Sequence, residues 1–312
     1  MTSITASTAP TSLWHRLTRL GDREQVLAWL MLSPAVLFIV VLVGTPFLLA
    51  LFYSLSNVTV GSTEMAFVGL SNFEAITANP TFWRSLGNTF LFTFVSQALV
   101  VVLAKVLAMA LMKDFRGKWL VRLLVILPWV APISLGSIGW LWIFDSIYSV
   151  LNWGLHQMGW LDPEARLFWL GREDLAMGSI ITVHVWRMLP LATIILLAGL
   201  SAIPADLHDA AAIDGARFWR HLFQINLPLV MPIMLVAVLF GMVFTFTDMI
   251  VIFILTRGGP YDSTQMLASL AYFTGIDGGD LAEGAAISLF LFPLLVVVAV
   301  VMLSVAKRSE VT

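Results

Sequence analysis

Six stretches of this chain are long and apolar enough to cross a bilayer, and no other property limits its fold as severely. They cover about 26–53, 86–112, 119–144, 177–200, 229–255 and 282–305, and a helix needs roughly 20 apolar residues to span the hydrocarbon. Barrel strands need only about 9 to 11 residues, so the pattern predicts an all-α, polytopic integral membrane protein with six transmembrane helices. The transmembrane domain covers 26–305, with short tails over 1–25 and 306–312. Charged residues are 12% of the chain and hydrophobic ones 59%, against about 25% charged in a soluble domain. The first 24 residues carry Arg16, Arg19 and Arg23 but no short apolar core followed by a small-residue cleavage site, so no cleaved signal peptide is expected.

Orientation follows from where Lys and Arg fall. With the N-terminus inside, the inner segments collect Arg16, Arg19, Arg23, Lys113, Arg116, Lys118, Arg122, Arg217, Arg220, Lys307 and Arg308, and the outer ones only Arg84, Arg166, Arg172 and Arg257. Both termini are therefore expected in the cytoplasm, with membrane lipid around the spans. Lys105, inside the second span, is expected to snorkel to the inner interface.

Several chemistries are excluded. There is no cysteine, hence neither disulfide nor thiolate metal site. No GxxxxGK[ST] phosphate cradle and no HExxH pair occurs, so no nucleotide or metal site is expected in the chain. A net charge of −2 gives no reason to expect nucleic acid. Nothing points to an enzyme.

The segment between the fourth and fifth spans, DLHDAAAIDGARFWRHLFQINLPLVMP over 206–232, is a polar island in an otherwise lipid-compatible chain. Leu207, Ala210 and Ala211 form one short helical stripe, and Phe218, Leu222 and Ile225 at i, i+4, i+7 a second. Gly215 between them sits where the turn needs φ > 0 or close backbone approach. An amphipathic helix lying on the membrane surface is the alternative reading.

Here the residues resemble a family. Asp209-Ala210-Ala211, then Asp214-Gly215-Ala216, then Leu227-Pro228 resemble the EAA signature of ABC-importer permeases. The stretch Leu255-Thr256-Arg257-Gly258-Gly259-Pro260 resembles the LTGGGP run of their carbohydrate branch, related to maltose and glycerol-3-phosphate permeases. Phe67 to Phe73, Leu86-Gly87-Asn88-Thr89, Ala198-Gly199-Leu200 and Ile203-Pro204 fit the same branch, and the likeness runs from about 26 to 305. Asp209 stands where Glu is usual, which shortens the carboxylate's reach by one methylene, and Arg257 stands where Gly is usual.

The resemblance implies a type I importer permease in its six-span form, with residues 201–227 as the loop that docks on an ATPase subunit. Asp209 and Asp214 would be its polar contacts, Ala210 and Ala211 its close-approach face and Gly215 its bend, with Ala216 the last of the ATPase-coupling residues. It also implies a second related permease, an ATPase dimer that binds ATP and Mg, and a periplasmic solute-binding protein delivering a sugar or polyol. A glycerol-3-phosphate-type importer and an ion-gradient-driven carrier are the alternatives; Asp248 disfavours a phosphate ligand. Carriers of the second kind show paired repeats with interrupted helices, and nothing in the first half matches 206–232.

Polar groups inside a bilayer are functional suspects by default. His184, Met188 and Leu191 recur at i, i+4, i+7, roughly 10 to 20 Å below the outer surface at 1.5 Å per residue. Gly241, Phe244, Thr245 and Asp248 share a face of the fifth span at roughly 12 to 22 Å. Two faces at matching depth suit the walls of one substrate pathway, and the resemblance places the sugar site on these same two spans. Arg187 either joins that pathway or pairs with Asp248, since buried charges are normally paired. His184 is either a lining residue or a helix-packing hydrogen bond. Pro128, Pro132, Pro190, Pro228, Pro232 and Pro293 are expected to kink spans. Trp140, Trp142, Trp153, Trp160 and Trp169 read as an interfacial belt, on outer loops that also suit docking of a binding protein.

Overall fold

The structure is a computed structural model and describes residues 24–310 apart from Thr63. Arg16, Arg19 and Arg23 of the N-terminal tail, and the last two residues, lie outside it. The described chain forms two units divided between Phe52 and Tyr53. The first is essentially α1 (Val26–Ser54), an apolar helix with a π turn at Val40–Gly44.

The second unit is helical apart from loops and one isolated bridge, Ser56 to Phe67. Its elements are α2 (Ser71–Ala78), α3 (Pro80–Met112), α4 (Lys118–Val130), α5 (Ile133–Ile143), α6 (Val150–Gln157) and α7 (Glu173–Ser201). After them come α8 (Ala205–Ile213), α9 (Phe218–Phe246), α10 (Ile250–Leu255), α11 (Leu267–Tyr272) and α12 (Leu281–Glu310). Helices α1, α3, α7, α9 and α12 are each long and apolar enough to span a membrane, and α4 with α5 makes a sixth span if the bent pair counts as one.

Three boundaries differ from the hydropathy pattern. The second span begins at Pro80 rather than near 86, because Asn79 caps it, its side chain accepting from the Thr81 N–H at 2.9 Å, with Pro80 in the first turn. Proline is pre-organised for that position. The third span is two helices meeting at 99°. Ala131, held extended at φ −64 and ψ 141, obeys the restriction that Pro132 places on the residue before it. The fifth span starts inside the polar island at Phe218, passes a π turn at Leu222–Asn226, and stops at Phe246 instead of running to 255. Pro228, two residues past that π turn, has no N–H to give the Gln224 carbonyl, which removes one rung of the ladder there.

Helix α7 is the axis of the larger core. Along it Ile180, Val183, His184, Met188, Leu196 and Leu200 are buried, and Phe92, Val100, Ala104 and Ala108 of α3 meet them. The alanines let the two backbones approach closely, the usual device where lipid removes any hydrophobic drive between helices. A second cluster, with Ile76, Phe82, Leu267, Ile287 and Leu291, binds α2, the start of α3, α11 and α12. Asn88 and Thr89 of α3 hold the loop after α10: Asn88 Nδ2 donates to Gln265 O at 2.9 Å, and Thr89 Oγ1 accepts from Leu267 N at 3.0 Å.

Lys105 departs from expectation. Its Nζ is buried and has no hydrogen-bond partner among the described residues, so the stem turns into the protein rather than out to the interface. Of the five tryptophans assigned to a belt, Trp142, Trp153 and Trp160 are exposed. Trp140 stacks on Phe144 and Trp169 donates to Asn152 at 3.0 Å, so these two belong to the core.

Candidate functional sites: an exposed elbow and a buried polar node

The polar island forms an elbow. Helix α8 ends at Ile213, and Gly215 follows with φ +69. The Asp214 N–H donates to Ala210 O at 3.0 Å and the Ala216 N–H to Ala211 O at 2.9 Å. That six-to-one bond around a left-handed glycine is a Schellman termination. Arg217 is then extended and α9 begins at Phe218. The bend is thus fixed by backbone hydrogen bonds, and the second stripe of the island forms the first turns of a membrane span.

Asp209, Ala210, Asp214 and Gly215 are exposed and Ala216 is half-buried, while Ala211 is buried. The alanine pair therefore divides, with Ala211 packed inward and Ala210 facing out beside the two carboxylates. Ile213 is 87% exposed and Trp219 67%, giving the elbow an apolar tip at which the motif residues gave no hint. A run of exposed apolar side chains next to carboxylates has the composition of a docking surface.

The second site lies between α3, α7 and the break after α9. His184 is fully buried; its Nδ1 lies 2.8 Å from Asp248 Oδ2 and its Nε2 2.9 Å from Thr245 Oγ1. Arg187 donates to the same Asp248 oxygen at 3.2 Å, and the Ile250 N–H to the other at 3.0 Å. Gln97 of α3 donates to Thr245 Oγ1 at 2.7 Å. Asp248 sits in the gap between α9 and α10, where its carboxylate also starts the next helix by an Asx turn.

Proton bookkeeping narrows the state of the node. A carboxylate only accepts, so Nδ1 of His184 carries a proton. The Thr245 hydroxyl has one proton, which goes either to Gly241 O, 2.7 Å away, or to Nε2. The first choice makes His184 an imidazolium and leaves the node with one net positive charge. The second leaves it neutral, with Asp248 balanced by Arg187, and is the cheaper arrangement inside a bilayer.

The two faces expected at matching depth do meet, in direct contact. His184 and Met188 are buried, Leu191 is half-buried, and Gly241, Thr245 and Asp248 are buried opposite them. Phe244 does not share that face: it is 44% exposed and packs edge-on against Trp129 at 6.0 Å. It is three residues from Gly241 in a helix of 3.6 per turn, enough to turn it toward α4. Arg187 pairs with Asp248. Gln97 is not among the residues expected on the two faces; its signal was an amide in mid-span together with the missing side chain at Gly241, where a Cβ would lie 2.9 Å from the Gln97 amide carbon. Arg257, where glycine is usual, takes a left-handed φ of 49. Its guanidinium lies 5.0 Å over the Phe253 ring and pairs with Asp277 at 2.9 Å, an arrangement that offsets the backbone cost. No group of residues suited to holding a metal occurs among the described residues.

Residues 100–310 match the family model described as the binding-protein-dependent transport system inner membrane component. A trehalose/maltose transport system permease, MalF, of Thermococcus litoralis is 33% identical over 93% of this chain and 97% of that protein. A sulfoquinovosyl glycerol transport system permease of Agrobacterium fabrum is 29% identical, over 95% of each. A trehalose transport system permease of Mycobacterium tuberculosis is 30% identical over 96% of this chain and 94% of that protein. One chain of a bacterial alginate ABC transporter, solved with an alginate-bound periplasmic protein, superposes with a TM-score of 0.79 at 18% identity over 95% of this chain and 97% of that one, which establishes a common fold. The chain is not an enzyme: it is a multi-pass member of the binding-protein-dependent transport system inner membrane component family, an ABC importer permease.

Proposed function

We propose that this permease forms half of the translocation pathway for a neutral sugar or polyol delivered by a periplasmic binding protein. A second, related permease forms the other half, and two ATPase subunits that bind ATP and Mg supply the energy. The observation that carries the coupling role is the elbow at 205–217, rigid in its backbone yet exposed in its motif residues. A lever must be both. Asp209, Asp214 and the apolar tip at Ile213 meet the ATPase; Ala211 anchors the elbow to the bundle; Gly215 sets the angle.

Displacement passes from the elbow into the helices on either side, α7 and α9, since it is continuous with α9 and follows α7 after three residues. These are the helices that carry His184, Arg187 and Thr245, with Asp248 just past the end of α9. Closure of the ATPase dimer draws the elbows together, the two helices part at the node, and the pathway opens outward; hydrolysis restores the packed arrangement. The sugar assignment rests on the trehalose and maltose named for two of the relatives, and the node, whose charged groups are paired with one another, presents no unmatched charge to select an anion. Both termini and the elbow are cytoplasmic in this reading.

The test is uptake of labelled trehalose or maltose by vesicles carrying the chain with its sister permease, ATPase and binding protein. Uptake should need ATP and binding protein together, and Gly215→Val should abolish it along with ATPase co-purification. Uptake that survives ATP depletion but collapses with the proton or sodium gradient would exclude the importer mechanism.

A further inference from the structure

The geometry points to a binding site for one anionic phospholipid in a groove between α3, α4 and α7. The groove encloses about 430 Å³. Its walls are apolar, with Leu111 from α3, Val125 from α4, and Ile194 and Leu197 from α7, and its polar lining groups are Arg122 and Ser201. An apolar slot with a guanidinium on its wall matches an acyl chain below a phosphate. A soluble anion would leave the slot unused, and a zwitterionic lipid brings a phosphate whose charge its own choline already balances.

Charge complementarity favours the lipid. Residues 113–122 carry Lys113, Arg116, Lys118 and Arg122 against a single acid, Asp114. Asp114 already pairs with Lys118 at 3.0 Å. Among the described residues nothing hydrogen-bonds or ion-pairs with Arg122, whose planar donors suit a phosphate. Trp119, 72% exposed one turn before Arg122, is the aromatic anchor expected at head-group level. Basic pockets between spans at a membrane face are where acidic lipid head groups bind. The groove is also built from the last turns of α7, which lead into the elbow, so a bound lipid would brace the element that moves.

The experiment uses the assembled transporter in nanodiscs of phosphatidylcholine and phosphatidylglycerol, with lipid retained after extraction counted by native mass spectrometry. Phosphatidylglycerol should be retained in preference, and Arg122→Gln should weaken its retention about five-fold, the effect of one basic side chain at a membrane surface, leaving phosphatidylcholine unchanged. Ala198→Phe, which fills the groove, should remove the site for either lipid. Equal phosphatidylglycerol retention by native protein and Arg122→Gln, or an unchanged lipid count in Ala198→Phe, overturns the proposal. So does a photoreactive side chain at Leu197 that captures the second permease instead of lipid. Both leaflets of a nanodisc hold the same lipids, so the outcome stands whichever face of the membrane the elbow occupies.

Discussion

Asp248 is where a structural role and a substrate role separate most cleanly. Its side chain is 3% exposed and receives three donors, from His184, Arg187 and the Ile250 backbone. Asp248→Ala orphans all of them, and the guanidinium of Arg187, itself only 21% exposed, loses its counter-charge. Removing one partner of a buried pair costs about 3–5 kcal/mol; the partial exposure of Arg187 puts the expected loss near the lower end, about 3 kcal/mol. At about 1.5 °C per kcal/mol for a chain of 312 residues, from about 2.1 cal/mol/K of unfolding entropy per residue, that is a melting shift of about 4–5 °C. Adding Arg187→Met removes the orphaned cation, so the double variant should recover stability, with a coupling energy of about 1.5–3 kcal/mol. The assay is the thermal loss of monodisperse transporter on size exclusion, run beside the KM for sugar uptake. Additive losses, or an unchanged melting point with a KM raised tenfold or more in Asp248→Ala, would refute the buried pair and put the carboxylate in contact with substrate.

Three further outcomes follow from single positions. A Cβ at Gly215 would meet nothing within 4 Å, yet the residue has φ +69; the cost there is conformational, so Gly215→Asn should keep most uptake while Gly215→Val loses it and ATPase co-purification with it. Gly241→Ala should destabilise by about 1–3 kcal/mol through overlap with the Gln97 amide, and Gln97→Ala in the same chain should relieve most of that loss in the same melting assay. The backbone N–H of Tyr148, and after it that of Ile147, hold the Asp145 carboxyl below the usual carboxylate range. A depressed folded pKa gives stability that is present above the unfolded value and lost as pH falls through the folded one. Protection of the Ile147 and Tyr148 amides from hydrogen exchange, taken relative to the intrinsic rate at each pH, should therefore fall in acid, and Asp145→Asn should remove that change in protection.

The spans and the elbow were legible because their signals are local. A bilayer requires a continuous run of apolar residues, and a left-handed turn requires glycine, so hydropathy found the spans and the Asp-Gly-Ala step found the bend at Gly215. The capping Asn79-Pro80 pair is equally local, and it sets the start of the second span ahead of the apolar run. Pro132 announced a kink, but its 99° depends on what packs against α4 and α5. The end of α9 at Phe246 was hidden, since Ile250 to Leu255 is as apolar as the helix before it.

What the sequence determined by itself, then, was an all-helical membrane chain with a polar elbow between its fourth and fifth spans, because lipid leaves the backbone no partner but itself. Tertiary structure alone decided the use of the few polar groups left inside. His184 meets Asp248 across 64 positions and Gln97 meets Thr245 across 148. Such a pairing is chosen by which helix faces come together at one depth, and neighbouring residues in the chain carry no record of it.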